Sequence, residues 1–281
     1  MAKPEHLKPS RSISQRLRHR RRDWQWGRQL HREGVFPAEG GTEDPNFPGL
    51  AITAIAILPK YHDWCLSMID SLRGVGNFHG PVYVVTEDPR PFKGLENVLT
   101  VKVPYTRYRL VAKSCKQLLL DWVFEPKMLY IDADVVIARP LKPWYDRARV
   151  KLDQKPLVLY TCSMPTAGAY HGGLMLTDRE RVRPFFDQWL KLIRTGRYMF
   201  DQESLLSIGS DEDIALFDDD ELVFLHQILG EDGEVSTQEA PGTFVHVTNG
   251  MIRRYSAAEI KTYLREVVGL RRIPESFGPD A

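Results

Sequence analysis

The sequence predicts an α/β fold in which helices cover a mainly parallel β-sheet. Apolar runs of strand length alternate along the chain with longer segments whose apolar residues recur at helical spacing. The connections between them are short, as is usual for strand–helix–strand units. At 281 residues, with 43% hydrophobic and 27% charged residues, the chain can bury one large core as a single domain with an appendage.

The first half of the chain contains the clearest alternation of strands and helices. A helix is predicted at Tyr61–Leu72 because Cys65, Met68, Ile69 and Leu72 share one helical face. A second helix is predicted at Arg109–Phe124. The apolar runs predict strands at Leu50–Ile57, Val82–Val85, Val98–Val103 and Lys127–Leu141.

The second half is less regular but follows the same pattern. Asp178 is a suitable N-cap for the amphipathic helix that follows it, and a glycine-rich segment, Gly168–Thr177, leads into a strand. Shorter helices are expected at Asp201–Leu206 and Ala257–Val268. The remaining strands are predicted at Leu157–Cys162, Leu222–Leu225 and Phe244–Val247.

Residues 1–45 form a strongly basic arm that precedes the domain at residues 46–281. A cluster of arginines is followed by Trp24 and Trp26. We expect the arm to be partly disordered or packed on the domain. The alternative is attachment to an anionic surface through the arginines, with a membrane favoured over nucleic acid.

The apolar runs and the cysteines also indicate the cellular compartment of the protein. The longest apolar run is far shorter than the roughly 18 residues that suggest a membrane span, and the N-terminus lacks the apolar core of a secretory signal. Three cysteines at unpatterned spacing, Cys65, Cys115 and Cys162, favour a reducing compartment. We expect a cytoplasmic protein, either free or peripheral at the inner face of a membrane.

Two carboxylates, Asp132 and Asp134, interrupt the apolar run at Lys127–Leu141 and are separated only by Ala133. An unpaired buried carboxylate costs several kcal/mol, so packing does not explain the pair. Hard oxygen ligands suit Mg²⁺ or Mn²⁺, which usually complete their coordination with substrate phosphates. The sequence therefore predicts a metal–phosphate site at the end of this strand.

Four segments, in order between Leu50 and Tyr255, resemble the GT-A glycosyltransferases, and most closely the glycogenin and lipooligosaccharide galactosyltransferase group (retaining family 8). The first is TAIAILPKYHDWCLSMIDSLR. The second is the DAD sequence, preceded by a helix with Lys113 and Lys116. The third is HGGLML followed by DQESLL, and the fourth is HVTNGMIRR.

The resemblance implies transfer of a hexose from a nucleoside-diphosphate sugar, most closely a UDP-sugar, to a hydroxyl of a glycan, lipid-linked or protein acceptor. It implies retention of configuration and dependence on Mn²⁺ or Mg²⁺. Asp132, Asp134 and His246 would bind the metal, and Asp201 and Gln202 would lie near the anomeric carbon. The implied donor-binding residues are Tyr61 (which would stack on the base), Lys116, Lys113, Ala133, Gly172, Gly173 and Arg253. Lys116 best matches the family's basic position, with Lys113 and Arg109 as rivals.

The same residues allow simpler interpretations. Lys113 and Lys116 could form a solvated helix face, His246 could be a structural histidine, Gly172 and Gly173 could make a tight turn, and Asp201 could be a helix cap. His171 stands where the family has asparagine, which leaves the donor sugar open. Two other functions are weighed against transfer. They are a haloacid-dehalogenase-like phosphatase, whose motif DADVV also fits, and a sugar-nucleotide-binding scaffold without turnover.

Overall fold

The computed structural model describes residues 11–35, 40–161, 170–217, 221–225, 242–247 and 257–274. Within these ranges the chain forms a seven-stranded sheet, a three-stranded sheet and covering helices. No helix in the described ranges is long and apolar enough to cross a membrane. The predicted α/β class is confirmed.

The large sheet has the strand order β3-β2-β1-β4-β7-β6-β8. The first four strands in that order are parallel neighbours, β7 is antiparallel to both β4 and β6, and β8 is parallel to β6. The sheet is therefore mainly parallel. Its strands are β1 Leu50–Ile55, β2 Val82–Thr86, β3 Val98–Lys102, β4 Lys127–Ile131, β6 Leu157–Thr161, β7 Tyr170–Asp178 and β8 Ile214–Phe217.

The small sheet has the order β5-β10-β9 and continues from the DAD segment. Its strands are β5 Val135–Ile137, β9 Leu222–Phe224 and β10 Phe244–His246. The predicted single strand Lys127–Leu141 is therefore wrong, because the two aspartates separate β4 and β5, which belong to different sheets. The helices are α1 Ile13–Glu33, α2 Pro59–Arg73, α3 Arg109–Lys113, α4 Cys115–Trp122, α5 Leu141–Gln154, α6 Arg183–Arg194, α7 Asp201–Ile208 and α8 Ala257–Glu266.

Apolar side chains on the two faces of the large sheet form separate parts of the core. Alternation along β1 sends Ile52 and Ala54 into the part covered by α2 and α5, whereas Ala51 faces the part covered by α4 and α6. A third cluster joins α8 to β5 and β10. The result is a sheet buried on both sides, which is why its central strands are almost continuously apolar.

Several local predictions differ from the structure. The predicted helix Arg109–Phe124 is two helices, which meet at Ser114. Asp178 ends β7 and accepts a hydrogen bond from the Arg181 amide, but α6 begins only at Arg183. Helix α5 and strand β8 were not predicted. Cys65 and Cys115 are buried and free, and Cys162 lies outside the described residues.

The basic arm contains a 21-residue helix, α1, that no apolar periodicity had indicated. Ser12 and Gln15 form its capping box. The helix packs on the domain through Trp26, whose indole nitrogen donates to the Pro104 carbonyl at 2.9 Å, and through His19, whose Nε2 lies 3.0 Å from the Ile193 carbonyl. These contacts hold α1 against the domain.

Candidate active site

The two aspartates of the DAD segment are held by their main chains at the junction of the sheets. The Asp132 amide donates to the Gly173 carbonyl at 2.7 Å, and the Asp134 carbonyl accepts from the Val247 amide at 2.9 Å. The side chains of Asp132 and Asp134 remain 21% and 14% exposed. The backbone of both residues is therefore fixed in position, while both carboxylates remain accessible from solvent.

Strand β10 brings His246 to the DAD segment. It pairs antiparallel with β5, with His246 opposite Val135. The His246 Nε2 consequently lies 3.4 Å from Asp134 Oδ1. Burial alone would lower the pKa of His246, but the carboxylates of Asp134 and Asp132 outweigh it and raise that pKa. Two of the three residues predicted as metal ligands thus meet directly.

The carboxylate of Asp132 contacts Tyr130 and Lys116. Its Oδ1 accepts a short hydrogen bond from the Tyr130 hydroxyl and lies 3.5 Å from Lys116 Nζ. Burial, followed by the charge of Asp132, raises the pKa of Tyr130 well above its usual value. Sequence reasoning did not single out Tyr130. The available signal was its position near the end of the apolar run, two residues before Asp132.

A buried ion-pair network links three helices beside the aspartates. Lys116 is completely buried, and its Nζ donates to Asp201 Oδ2 at 2.9 Å and to the Gly172 carbonyl at 2.5 Å. Lys113 donates to Asp201 Oδ1 at 2.9 Å, with its side chain 36% exposed. Burial would raise the pKa of Asp201, but the two ammonium groups hold it well below the usual range. Lys116 is thus not part of a solvated helix face, and Asp201 contacts lysines instead of capping α7.

The two glycines allow β7 to approach both groups of charges. A Cβ on Gly173 would lie 2.5 Å from Asp132 Oδ2 and 2.7 Å from His171 Cε1. A Cβ on Gly172 would lie 3.3 Å from Asp201 Oδ2. Both glycines lie within β7, so the tight-turn interpretation is wrong. Their function here is to leave room for carboxylates.

His171 forms an aromatic cluster with His246 and Phe224. The ring of His171 lies 5.3 Å from that of His246 and 5.4 Å from that of Phe224, centroid to centroid. Burial, together with the charge of His246, lowers the pKa of His171 to about 3, which keeps it neutral near pH 7. Sequence reasoning noted His171 only as a departure from the family, and it missed Phe224, which lies on the distant strand β9.

The remaining predicted site residues differ in how far they are buried. Tyr61 is half-buried in the first turn of α2; its pKa is raised chiefly by burial, and nearby charges include Arg109. Ala133 is buried, whereas Gln202 is partly exposed in the first turn of α7. Arg109 is exposed. Arg253 lies outside the described residues.

The chemistry of the donor set suits a divalent ion. Two carboxylates and one imidazole, from Asp132, Asp134 and His246, match the preferences of Mn²⁺. The Nδ1 of His246 is buried without a hydrogen-bond partner among the described residues. Among these residues, however, no three His, Cys, Asp or Glu side chains already converge on one metal position. The residues fit the ion by type, while Asp132 is engaged by protein donors.

Comparison with known proteins supports the fold through structure and not through sequence. No protein-family model and no curated protein matches the chain. The galactosyltransferase LgtC, solved with donor and acceptor sugar analogs, superposes with a TM-score of 0.57 at 12% identity, covering 80% of this chain and 97% of LgtC. The glycosyltransferase GlyE of Streptococcus pneumoniae TIGR4 gives 0.52 at 12% identity, covering 72% of this chain and 55% of GlyE.

A third similar structure is the bifunctional glycosyltransferase WbbM, with a TM-score of 0.53 at 11% identity, covering 84% of this chain and 52% of WbbM. The chain thus spans about half of GlyE and of WbbM but nearly all of LgtC. These comparisons do not favour the phosphatase alternative. The sheet order, the DAD junction and the structural neighbours together show that this chain has the GT-A fold found in glycosyltransferases.

Proposed function

We propose that the protein is a metal-dependent glycosyltransferase that moves a hexose from a UDP-sugar to a hydroxyl acceptor with retention of configuration. The observation that carries the proposal is the convergence of four separate segments at one edge of the sheet. The DAD segment, β7, β10 and α7 bring together Asp132, Gly172, His246 and Asp201. Packing alone would not collect these groups, because buried charges are costly.

The balance of charge in this centre favours a cation together with a phosphate. Asp132 and Asp201 face two ammonium groups, Lys113 and Lys116, whereas Asp134 faces His246. A bound Mn²⁺ or Mg²⁺ would act as a Lewis acid on the leaving diphosphate. Lys113, with 36% of its side chain exposed, can add positive charge on the solvent side.

Asp201 and Gln202 have different parts in this proposal. Asp201 is buried and kept ionised by Lys113 and Lys116, so it cannot serve as a general acid near neutral pH. Its negative charge can stabilise positive charge that develops on the sugar. Gln202 is partly exposed in the first turn of α7, so its amide is the group of this pair that can contact the donor. Retention and the UDP base rest on the family resemblance.

The test is binding and turnover of nucleotide sugars with Mn²⁺, with Mg²⁺ and with chelator. A ligand at about 100 times its dissociation constant stabilises the folded state by about 2.7 kcal/mol, or roughly 5 °C in melting temperature for a chain of this size. We expect a metal-dependent shift with one diphosphate sugar. The shift and donor hydrolysis should be lost in Asp134→Asn and kept in Asp146→Asn, an exposed carboxylate paired with Lys142 on α5.

The result that would overturn the proposal is equally clear. If no nucleotide sugar stabilises the wild-type protein with either metal, the protein is not a nucleotide-sugar transferase. Binding that persists unchanged in folded Asp134→Asn would refute the metal assignment. Tight metal-dependent binding without donor hydrolysis or transfer would instead identify the scaffold alternative.

A further inference from the structure

Helix α1 has two opposite faces, and among the residues that the structure describes only one of these faces packs on the domain. His19 and Trp26 are buried and hydrogen-bond to main-chain carbonyls of the domain. Asp23, on the same face, lies 3.7 Å from Arg194 of α6. These contacts fix the rotation of the helix about its axis, so they also determine which side chains face solvent.

The outward face carries a line of large apolar side chains. Ile13, Leu17 and Trp24 are 71%, 60% and 59% exposed. At about 100° per residue they project within roughly 40° of one another. A single exposed apolar residue is ordinary. Three on one line of one helix form an apolar stripe that is left mostly exposed to solvent. We call Ile13, Leu17 and Trp24 the apolar stripe.

Arginines border the apolar stripe on both sides. By the same helical geometry, Arg20 projects on one side, and Arg21 and Arg28 on the other; all three are exposed. The guanidinium of Arg28 lies 4.8 Å from the centre of the Trp24 ring. Between Ser12 and Gly34 the carboxylates are Asp23 and Glu33. The arginines in the same span are Arg16, Arg18, Arg20, Arg21, Arg22, Arg28 and Arg32.

We propose that α1 is an interfacial anchor that lies flat on an anionic lipid bilayer. The apolar stripe enters the boundary between headgroups and acyl chains, and the arginines contact anionic headgroups. Tryptophan and arginine both suit this depth, because their apolar parts can be buried while their polar ends stay hydrated. Nucleic acid would use the arginines but would leave Ile13 and Leu17 without a role, so the membrane explains more of the surface.

The anchor lies close to the proposed active site. The Arg11 amide, just before α1, donates to the Arg197 carbonyl at 3.3 Å. Met199 and Phe200 follow shortly after in the chain and are 50% and 53% exposed. They directly precede α7, which begins at Asp201. Contact of this end of α1 with a bilayer would therefore hold α7 near the lipid surface.

The experiment is flotation of the full chain with phosphatidylcholine vesicles that either contain or lack phosphatidylglycerol. We expect flotation only with phosphatidylglycerol and a decline as salt is added. The variant Ile13→Ser/Leu17→Ser/Trp24→Ser should lose it. The matched control Phe124→Ser/Val150→Ser replaces side chains of similar exposure outside α1 and should float normally. Each of Arg20, Arg21 and Arg28, when changed to glutamine, should weaken binding about fivefold.

Two further measurements keep the proposal falsifiable. Far-UV circular dichroism and thermal unfolding must show that the triple-serine variant is folded. Brominated lipids should quench part of the tryptophan fluorescence, and that part should disappear in Trp24→Phe. The proposal is overturned if the folded triple variant floats like wild type, or if light scattering shows a dimer that the same substitutions dissolve. Neither result depends on donor binding, so failure of the anchor and failure of the transferase proposal are distinguishable.

Discussion

The buried lysine Lys116 provides the sharpest test of the network beside the DAD segment. Changing Lys116→Met keeps the length of the side chain but removes its charge and donors. Asp201 would lose a partner at 2.9 Å, and the Gly172 carbonyl would lose its donor. Removing one partner of a buried ion pair costs about 3–5 kcal/mol, because the remaining charge is left buried. We expect a loss of that size in the free energy of unfolding.

Lys113 is the matched control, since it also donates to Asp201 at 2.9 Å. Its side chain is 36% exposed, whereas that of Lys116 is fully buried. Water can compensate for the loss of an exposed partner, and exposed pairs contribute only about 0–1 kcal/mol. The change Lys113→Met should therefore cost about 1 kcal/mol, several times less than Lys116→Met.

Urea unfolding followed by far-UV circular dichroism measures both losses by linear extrapolation. The double variant Lys116→Met/Asp201→Asn should lose less than the sum of the two single variants, because the same contact is removed in each. Equal losses for Lys116→Met and Lys113→Met would refute the reasoning, since burial would then have no effect on the strength of the pair. Strict additivity in the double variant would refute direct coupling.

Two other predictions follow from close packing and from burial. Gly173→Ala would place a Cβ 2.5 Å from Asp132 Oδ2. Because this contact would displace the carboxylate, we expect donor turnover to fall by at least about tenfold. The control Gly40→Ala, whose added Cβ would have nothing within 4 Å, should keep its activity. Turnover retained in Gly173→Ala would show that the carboxylate need not lie there. Burial, followed by nearby charge, lowers the pKa of His19 from 6.5 to about 4 in the folded protein. The unfolded chain therefore takes up a proton on His19 before the folded protein does, and protonation opposes folding. The free energy of unfolding that is present above pH 6.5 should fall by about 3 kcal/mol as the pH drops to about 4. Unfolding free energies at several pH values should show this extra loss in wild type relative to His19→Gln, and parallel pH profiles would contradict the assignment.

Much of the α/β framework could be predicted because its signals are local. Strands β1, β2 and β4 are apolar runs of strand length, and α2 shows its buried face by spacing alone. The DAD segment was recognisable because two carboxylates directly after an apolar run are costly to bury unless a cation or another partner compensates their charge. Helix α1 was missed because its buried face consists of His19 and Trp26 among arginines, which gives no apolar period.

The sequence by itself determined the α/β class, most of the strands of the large sheet and the types of residue that the site contains. Only the tertiary structure decided their partners. Lys113 and Lys116 lie three residues apart in the same predicted helix, yet the Lys113 side chain is 36% exposed and that of Lys116 is fully buried. The meeting of His246 with Asp134 depends on the register of β10 against β5. Such pairings join residues far apart in the chain, and the desolvation that sets the strength of each ion pair exists only once the sheet and helices have packed.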